Sequence, residues 1–488
     1  MKKFIRSKFL IPFSDQIGRE TRIEDGYVLF EGERILEVGA FNDDLGKSLL
    51  ERFPHHIEVV GNNNKVARHL QDFVKLEGVL LPGFIKAHGH DHESPLIGIV
   101  KDAPLTEWLD GAVNIFGKFM QEKKQLLEDT LGVRPHLATY LKARVDDIYY
   151  GITSSMVHHC NYNKYHVADI VEANETAATN MIVAVGSQDR HYYDAILDSP
   201  EDAVKRLEEN KERFSHLTRT RVVPGPDQFF SNGPDLLKAL KGWADRNNSL
   251  IHIHSSEEYN TTEWFKKEYG MTPVEYGLKL GFLGPNTVLA HQVQCTKKDL
   301  EILKDTQTKI VHNPLANTIL GSGIPPVIEM LESGIEVVIS TDGSGSADSQ
   351  NILSAARLAS QYQKAFHRNA RLMPAQKVME MITVEPAKLL GLNAGSLESG
   401  KDADMVLIDT TRPNLTPSKI NNVLENLVWA SDGSEAQYVI AGGKVVKDNY
   451  QFTTLDMPKI NEQVQLLSEM FEDYRAEELK LKGTGAHC

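Results

Sequence analysis

The sequence predicts a (β/α)8 barrel joined to a small β-sandwich built from both chain ends, and three observations carry that prediction. Between about Val79 and Gly343, eight β-rich runs recur, each followed by a longer stretch of helical periodicity. Histidines and an aspartate fall where several of those runs end. The two flanks consist of short strands punctuated by Gly and Asp, without that alternation.

The eight runs are VLLPGFIKAH, GITSSMVHH, MIVAVGS, RVVPGPD, LIHIHSSE, TVLAHQV, KIVHNP and VVISTDG. Eight β-then-α units in such a span are what a closed parallel barrel requires, and a barrel of this kind carries its chemistry at the C-terminal ends of its strands. His88, His254, His291 and Asp342 each arrive as an apolar run ends, which places them at one rim. The barrel is expected over 77–394. The segments 1–76 and 395–452 hold TRIEDGYVLFEGERILEVGA, GSLESGKDADMVLID and AQYVIAGGKVVKD. Neither flank alone has enough strands for a sandwich, so the two are expected to pair. In 453–488, an amphipathic helix from about Pro458 to Lys482 precedes a loose, Gly-containing end.

Bulk properties narrow the function. A chain of 488 residues with 41% hydrophobic and 25% charged residues is an ordinary globular protein, and a net charge of -14 argues against phosphate-backbone recognition, which needs clustered Lys and Arg. A single modified base remains a possible substrate. Cys160, Cys295 and Cys488 form neither a disulfide framework nor a C-x-x-C site, so a reducing cytoplasm fits. The basic start MKKFIRSKFLIPF is broken by charges and reads as a strand; no run of about 18 apolar residues suggests a membrane span. A homodimer is the expectation from base rates.

His88-Gly-His90 closes the first run, and residues two apart on extended chain point the same way, so two imidazoles can reach one ion. An isolated H-x-H pair also fits rim histidines that are merely packed. In IHIHSSEE, His252 and His254 share a face; His254 lies nearer the rim and is the better ligand, while His252 reads as a core or orienting histidine. Glu257 just beyond suits a helix N-terminus or, beside a metal, a general acid/base. Asp342 before Gly343 would alone be a turn former. The order H-x-H, H-x-x-E, A-H, T-D-G along a regular β/α series turns these separate readings toward one catalytic centre. Imidazole and carboxylate suit zinc, iron or manganese.

That series resembles the amidohydrolase superfamily, and within it the mononuclear branch of S-adenosylhomocysteine and guanine-type deaminases and triazine hydrolases. LPGFIKAHGH, PLTEWL, YGMTPVEYGLKLGFLGPNTVLAHQV, HNPLANTILGSGIPP, STDGSGSADSQNIL and LESGKDADMVLID are similar to its successive motifs. The resemblance implies one divalent metal, zinc foremost, on His88, His90, His254 and Asp342. It implies a proton shuttle at Glu257 and a group holding the attacking oxygen at His291, with Asp342 also accepting a proton. MIVAVGS and RVVPGPD lack the Lys that bridges two metals in binuclear members. The implied reaction is hydrolytic deamination of an amino-substituted nitrogen heterocycle. Release of halide or alkylamine, or opening of a cyclic amide, on the same machinery is the alternative, and a catalytically silent scaffold is a third reading.

Two departures bear on substrate. Nucleoside-type members place a His after strand four, where GPDQFFS puts Asp227, a carboxylate suited to N–H donors or positive charge. They also carry a ribose-binding Glu shortly after the E-W-L helix, whereas LDGAVNIFGKF follows Trp108 here. A free heterocycle therefore gains over an adenosine-type nucleoside. Trp108, Gln188, Arg190 and His312 are further candidates for substrate contact, each with a packing or structural alternative, as is His92; His158 and His159 are left without a role.

Overall fold

The computed structural model describes residues 1–484. Eight strands form two parallel sheets. One contains β1 (Phe84–Lys86), β2 (Ile152–His159), β3 (Asn180–Ser187) and β4 (Thr220–Pro226) in that order; the other contains β5 (Ile251–Ser255), β6 (Thr287–His291), β7 (Lys309–His312) and β8 (Val337–Ile339). Every one of the eight predicted runs thus contains a strand. The sheets meet through the His254 N–H, which donates to the Asp227 carbonyl (3.1 Å). At the opposite edges, Ser340 Oγ accepts from the His88 N–H (3.0 Å) and donates to the His88 carbonyl (2.7 Å).

Strand alternation sorts the side chains into two environments. Ile85, Met156, Ile182, Val223, Val288, Val311 and Val338 form one layer with Leu389 and Leu390 of the helix Val384–Leu390. Their neighbours in sequence, such as Val157, Val183, Leu289 and Ile310, belong to the larger core, which includes residues of the surrounding helices. Successive side chains on a strand point to opposite faces, so near-continuous apolar runs are the signature of strands buried on both sides. On β5 the positions equivalent to that layer are His252 and His254 rather than aliphatic residues.

The run VLLPGFIKAH is not one strand. It divides at Gly83: Leu76–Pro82 joins a third, mixed sheet, and Phe84–Lys86 starts the first parallel one. Pro82 has no N–H for a ladder. The Gly83 N–H instead bonds the Asp404 carbonyl (2.9 Å), and a side chain at 83 would collide with Thr153.

The mixed sheet has ten strands and draws on both ends of the chain. Met405–Asp409 pairs with Leu76–Pro82, which pairs with Lys2–Leu10, followed by Ile23–Glu31 and Arg34–Ala40. The helix Met457–Thr484 places Leu467, Phe471 and Tyr474 in a cluster with Phe116 and Phe119. The rest of the expected loose end, 485–488 with Cys488, lies outside the described residues. Among the described residues no helix is long and apolar enough to cross a membrane.

Candidate metal and active site

The site lies where chain leaves the strands. His88 and His90 follow β1, His254 lies in β5, His291 ends β6 and Asp342 follows β8. His291 (φ 78°) and Asp342 (φ 72°) both adopt the left-handed backbone region, uncommon for residues with a side chain and concentrated at functional sites, where surrounding structure offsets a strain of about 1–3 kcal/mol.

Four side chains converge. His90 Nε2 lies 3.0 Å from His254 Nε2, and Asp342 Oδ1 lies 3.2 Å from His88 Nε2 and 3.6 Å from His90 Nε2. Two ligands about 2.05 Å from a tetrahedral zinc sit about 3.3 Å apart, so these spacings fit one shared ion. The other ring nitrogens of the pair are fixed from behind: His90 Nδ1 contacts the His158 carbonyl (3.0 Å) and His254 Nδ1 the Asp227 carbonyl (2.7 Å). Such bonds set the tautomer that leaves Nε2 for a metal. Neither ring nitrogen of the fully buried His88 makes a hydrogen bond, which is costly unless an ion satisfies it. Burial, with neighbouring histidines, holds His88 and His90 well below the usual imidazole range, so both are neutral and able to ligate.

Glu257 and His291 stand beside this group. His291 Nε2 is 3.5 Å from Glu257 Oε2 and 3.7 Å from Asp342 Oδ2, while Nδ1 faces the Asn317 amide (3.0 Å). Burial, then the negative charges of Asp342 and Asp227, pushes the Glu257 carboxyl well above its usual range; burial pushes His291 down to about 3. A neutral carboxylic acid next to a neutral imidazole is equipped to deliver a proton.

His90, His254, Glu257, His291 and Asp342 line one cavity with Trp108 and Asp227; His88 is fully buried and is not on its wall. Trp108 is buried and its Nε1 has no partner, and the Asp227 carboxylate accepts from the Tyr192 hydroxyl (2.7 Å). Gln188, Arg190 and His312 are absent from the cavity wall. Gln188 donates to Asn161 (3.3 Å), Arg190 pairs with Asp189 (2.8 Å), and His312 bonds the Tyr362 hydroxyl. His92 lines the cavity, and His252 stacks on His88 (ring centroids 4.9 Å apart). His158 Nε2 contacts the Pro226 carbonyl, and both ring nitrogens of His159 are buried without a partner.

Sequence reasoning missed Glu93, Cys160 and Tyr192, all on the cavity wall. Glu93 accepts from the Ser346 N–H and hydroxyl (both 2.9 Å), and burial next to Asp342 pushes it up to about 8. An acid three residues beyond His90 was the available signal; Tyr192 and Cys160 carried none.

The whole molecule bears out the resemblance. Residues 79–446 match the amidohydrolase family, and the chain belongs to it, and with it to the hydrolases of carbon–nitrogen bonds other than peptide bonds. It is 30% identical over 383 residues, 78% of this chain and 84% of the relative, to a 5'-deoxyadenosine deaminase of Methanothermobacter thermautotrophicus. It is 29% identical over 438 residues, 87% and 93% of the two chains, to a 5-methylthioadenosine/S-adenosylhomocysteine deaminase of Thermococcus sibiricus. An adenosine deaminase from Xanthomonas campestris with bound zinc superposes with a TM-score of 0.82 over 96% of this chain and 98% of its own, at 19% identity, a likeness of fold.

Proposed function

We propose that this protein is a zinc-dependent hydrolytic deaminase that releases ammonia from an amino-substituted nitrogen heterocycle. One observation carries the reading: His88, His90, His254 and Asp342 approach within ligand-sharing distances, with an acid, Glu257, and an imidazole, His291, at the same place. A divalent ion held by those four residues supplies a nucleophile from water at neutral pH. The protein does the rest. Asp342 takes a proton from the attacking water, and His291 orients the oxygen through Nε2. Glu257, kept neutral by its burial, protonates the ring nitrogen beside the reacting carbon as the C–O bond forms. On collapse the hydroxyl proton of the adduct returns to Glu257 as the C=O forms, the C–N bond breaks, and the proton held by Asp342 leaves with the amino group as ammonia.

Several coarser features support a fuller picture. The strand orders β1 to β4 and β5 to β8, with hydrogen bonds at both seams, suit a closed eight-stranded barrel over 77–394. The mixed sheet suits a β-sandwich from 1–76 and 395–452, with 453–488 as an appended helix and tail. Free Cys160 and Cys295 suit a cytoplasmic enzyme, and we take a homodimer as its working assembly.

The test is ammonia release by zinc-loaded protein across free purines, pterins, pyrimidines, triazines and nucleosides, with metal content measured in parallel. The reading predicts about one ion per chain and ammonia from at least one class, abolished by Glu257→Gln. Halide or alkylamine in place of ammonia would assign the alternative hydrolase chemistry; no metal would leave only a scaffold.

A further inference from the structure

Resting on the deaminase reading, we propose that the substrate is a neutral or cationic heterocycle carrying an amidine or guanidine edge, and that Asp227 is the residue that reads that edge. The argument begins with the charge of the cavity. Its wall contains four carboxyl groups, Glu93, Asp227, Glu257 and Asp342, and among the described residues on that wall none is Lys or Arg. Away from the metal ligands, a wall of this composition offers no cationic side chain to a phosphate or carboxylate on a substrate, whose lost hydration would go uncompensated there.

Three of the acids have other occupations. Asp342 belongs to the metal ligands, Glu257 is the proton donor, and Glu93 is bound by the Ser346 N–H and hydroxyl and by the Gly345 N–H. Asp227 is different. It is 4% exposed, and it follows β4, so its backbone carbonyl is tied to the His254 ring and N–H while its side chain remains available. Oδ2 takes the Tyr192 hydroxyl at 2.7 Å and approaches the Ser231 hydroxyl at 3.4 Å. Oδ1 accepts no hydrogen bond from the described residues; the nearest ring nitrogen, His254 Nδ1 at 3.9 Å, is already committed to the Asp227 carbonyl. A carboxylate has about four lone-pair sites, so this one retains capacity on both oxygens. The Tyr192 hydroxyl holds its plane in place, which is the pre-organisation a two-point contact needs. The complementary group is a pair of parallel N–H donors, as offered by a ring nitrogen and an adjacent exocyclic amine. The tie from the Asp227 carbonyl to His254 also fixes the position of the reading group relative to the metal ligands.

A matched pair of probes tests this without relying on turnover. 2,4-Diaminopyrimidine and 4-aminopyrimidine share the amino group open to hydrolysis and differ in the 2-amino group that completes the two-donor edge. In zinc-loaded Glu257→Gln protein, calorimetry is expected to show the diamino compound binding about 10- to 100-fold more tightly, the range of a charge-assisted hydrogen bond. Adding the isosteric Asp227→Asn should bring the two within about threefold, with zinc content unchanged. Tyr192→Phe should narrow the preference without abolishing it, since it loosens the plane of the carboxylate but leaves the carboxylate in place. Equal affinities in the first protein, or a preference that survives Asp227→Asn, would overturn the proposal. Ammonia assays with Glu257 intact separate the two readings. A binding preference without ammonia from any heterocycle refutes the deaminase and leaves the Asp227 assignment standing; ammonia from both probes without a binding preference does the reverse.

Discussion

The cavity has two ends built in opposite ways. At one end the cavity is lined by His90, His254, His291 and Asp342, and the rings of His90 and His254 are locked by hydrogen bonds to the His158 and Asp227 carbonyls. At the other, Leu105, Trp108, Leu109 and Val113 form an apolar wall on a short helix, Leu105–Trp108, that runs into a π-helical turn, Leu109–Val113. Behind that wall stands the last helix of the chain. Phe471 packs edge-on against Phe116 (5.0 Å between centroids), and Arg475 Nε donates to the Gly111 carbonyl inside the π-helical turn (2.6 Å). The polar end fixes reacting atoms by directional bonds, and the apolar end fixes volume by packing. Losses at the first should appear as lost metal or lost turnover, and losses at the second as lost stability and weaker substrate binding.

The sharpest way to break this division is at the polar end. Glu257→Gln is expected to lower kcat by about 10²- to 10⁴-fold, the usual contribution of a positioned acid, while zinc per chain stays at one. A variant that loses zinc as well would show that Glu257 is needed to assemble the site. At the apolar end, Phe471→Ala should cost about 3–5 kcal/mol in denaturant unfolding, because it opens a cavity in a well-packed cluster, and should leave zinc content intact. Loss of metal in that variant would mean that the two ends are not independent.

Arg475→Ala should act more gently. Leaving the Gly111 carbonyl without its donor is expected to raise KM by about threefold to tenfold, with kcat within about twofold. A fall in kcat alone would contradict a role for the wall in substrate binding.

The last effect is one of pH. Glu93 is pushed up to about 8 by burial, whereas an unfolded chain ionises it near 4.5. Below that range both states are protonated and nothing is lost. As pH rises toward about 8 the unfolded state releases the proton first, so the folded state loses stability. In metal-free protein the stability of the parent relative to Glu93→Gln should therefore fall between about pH 5 and pH 8, read as the difference between their unfolding midpoints. Zinc should flatten that fall, by offsetting the Asp342 charge that helps to keep Glu93 neutral.

The same division explains what could be read in the sequence. The polar end was legible where spacing on a strand decides direction: His252 and His254, both within β5, share a face by parity alone. Past the end of a strand, parity no longer constrains the chain. Gln188 and Arg190 follow β3 as His88 and His90 follow β1, yet Gln188 turns to Asn161 and Arg190 to Asp189. Tyr192 reaches the cavity from a loop with no periodicity to mark it. The division of VLLPGFIKAH at Pro82 and Gly83 depended on a partner, Met405–Asp409, more than 300 residues away. Of the apolar wall only Trp108 was legible; its support was not, since Arg475 meets Gly111 only after the whole chain has folded.

The central claim is one ion shared by four named side chains. A crystal structure of zinc-loaded protein, with the metal located by anomalous scattering, tests it most directly. The account predicts a single ion about 2.0–2.2 Å from His88, His90 and His254 Nε2 and from a carboxylate oxygen of Asp342. A second ion beside the first, or an ion held elsewhere with any of these four side chains unbound, would contradict it.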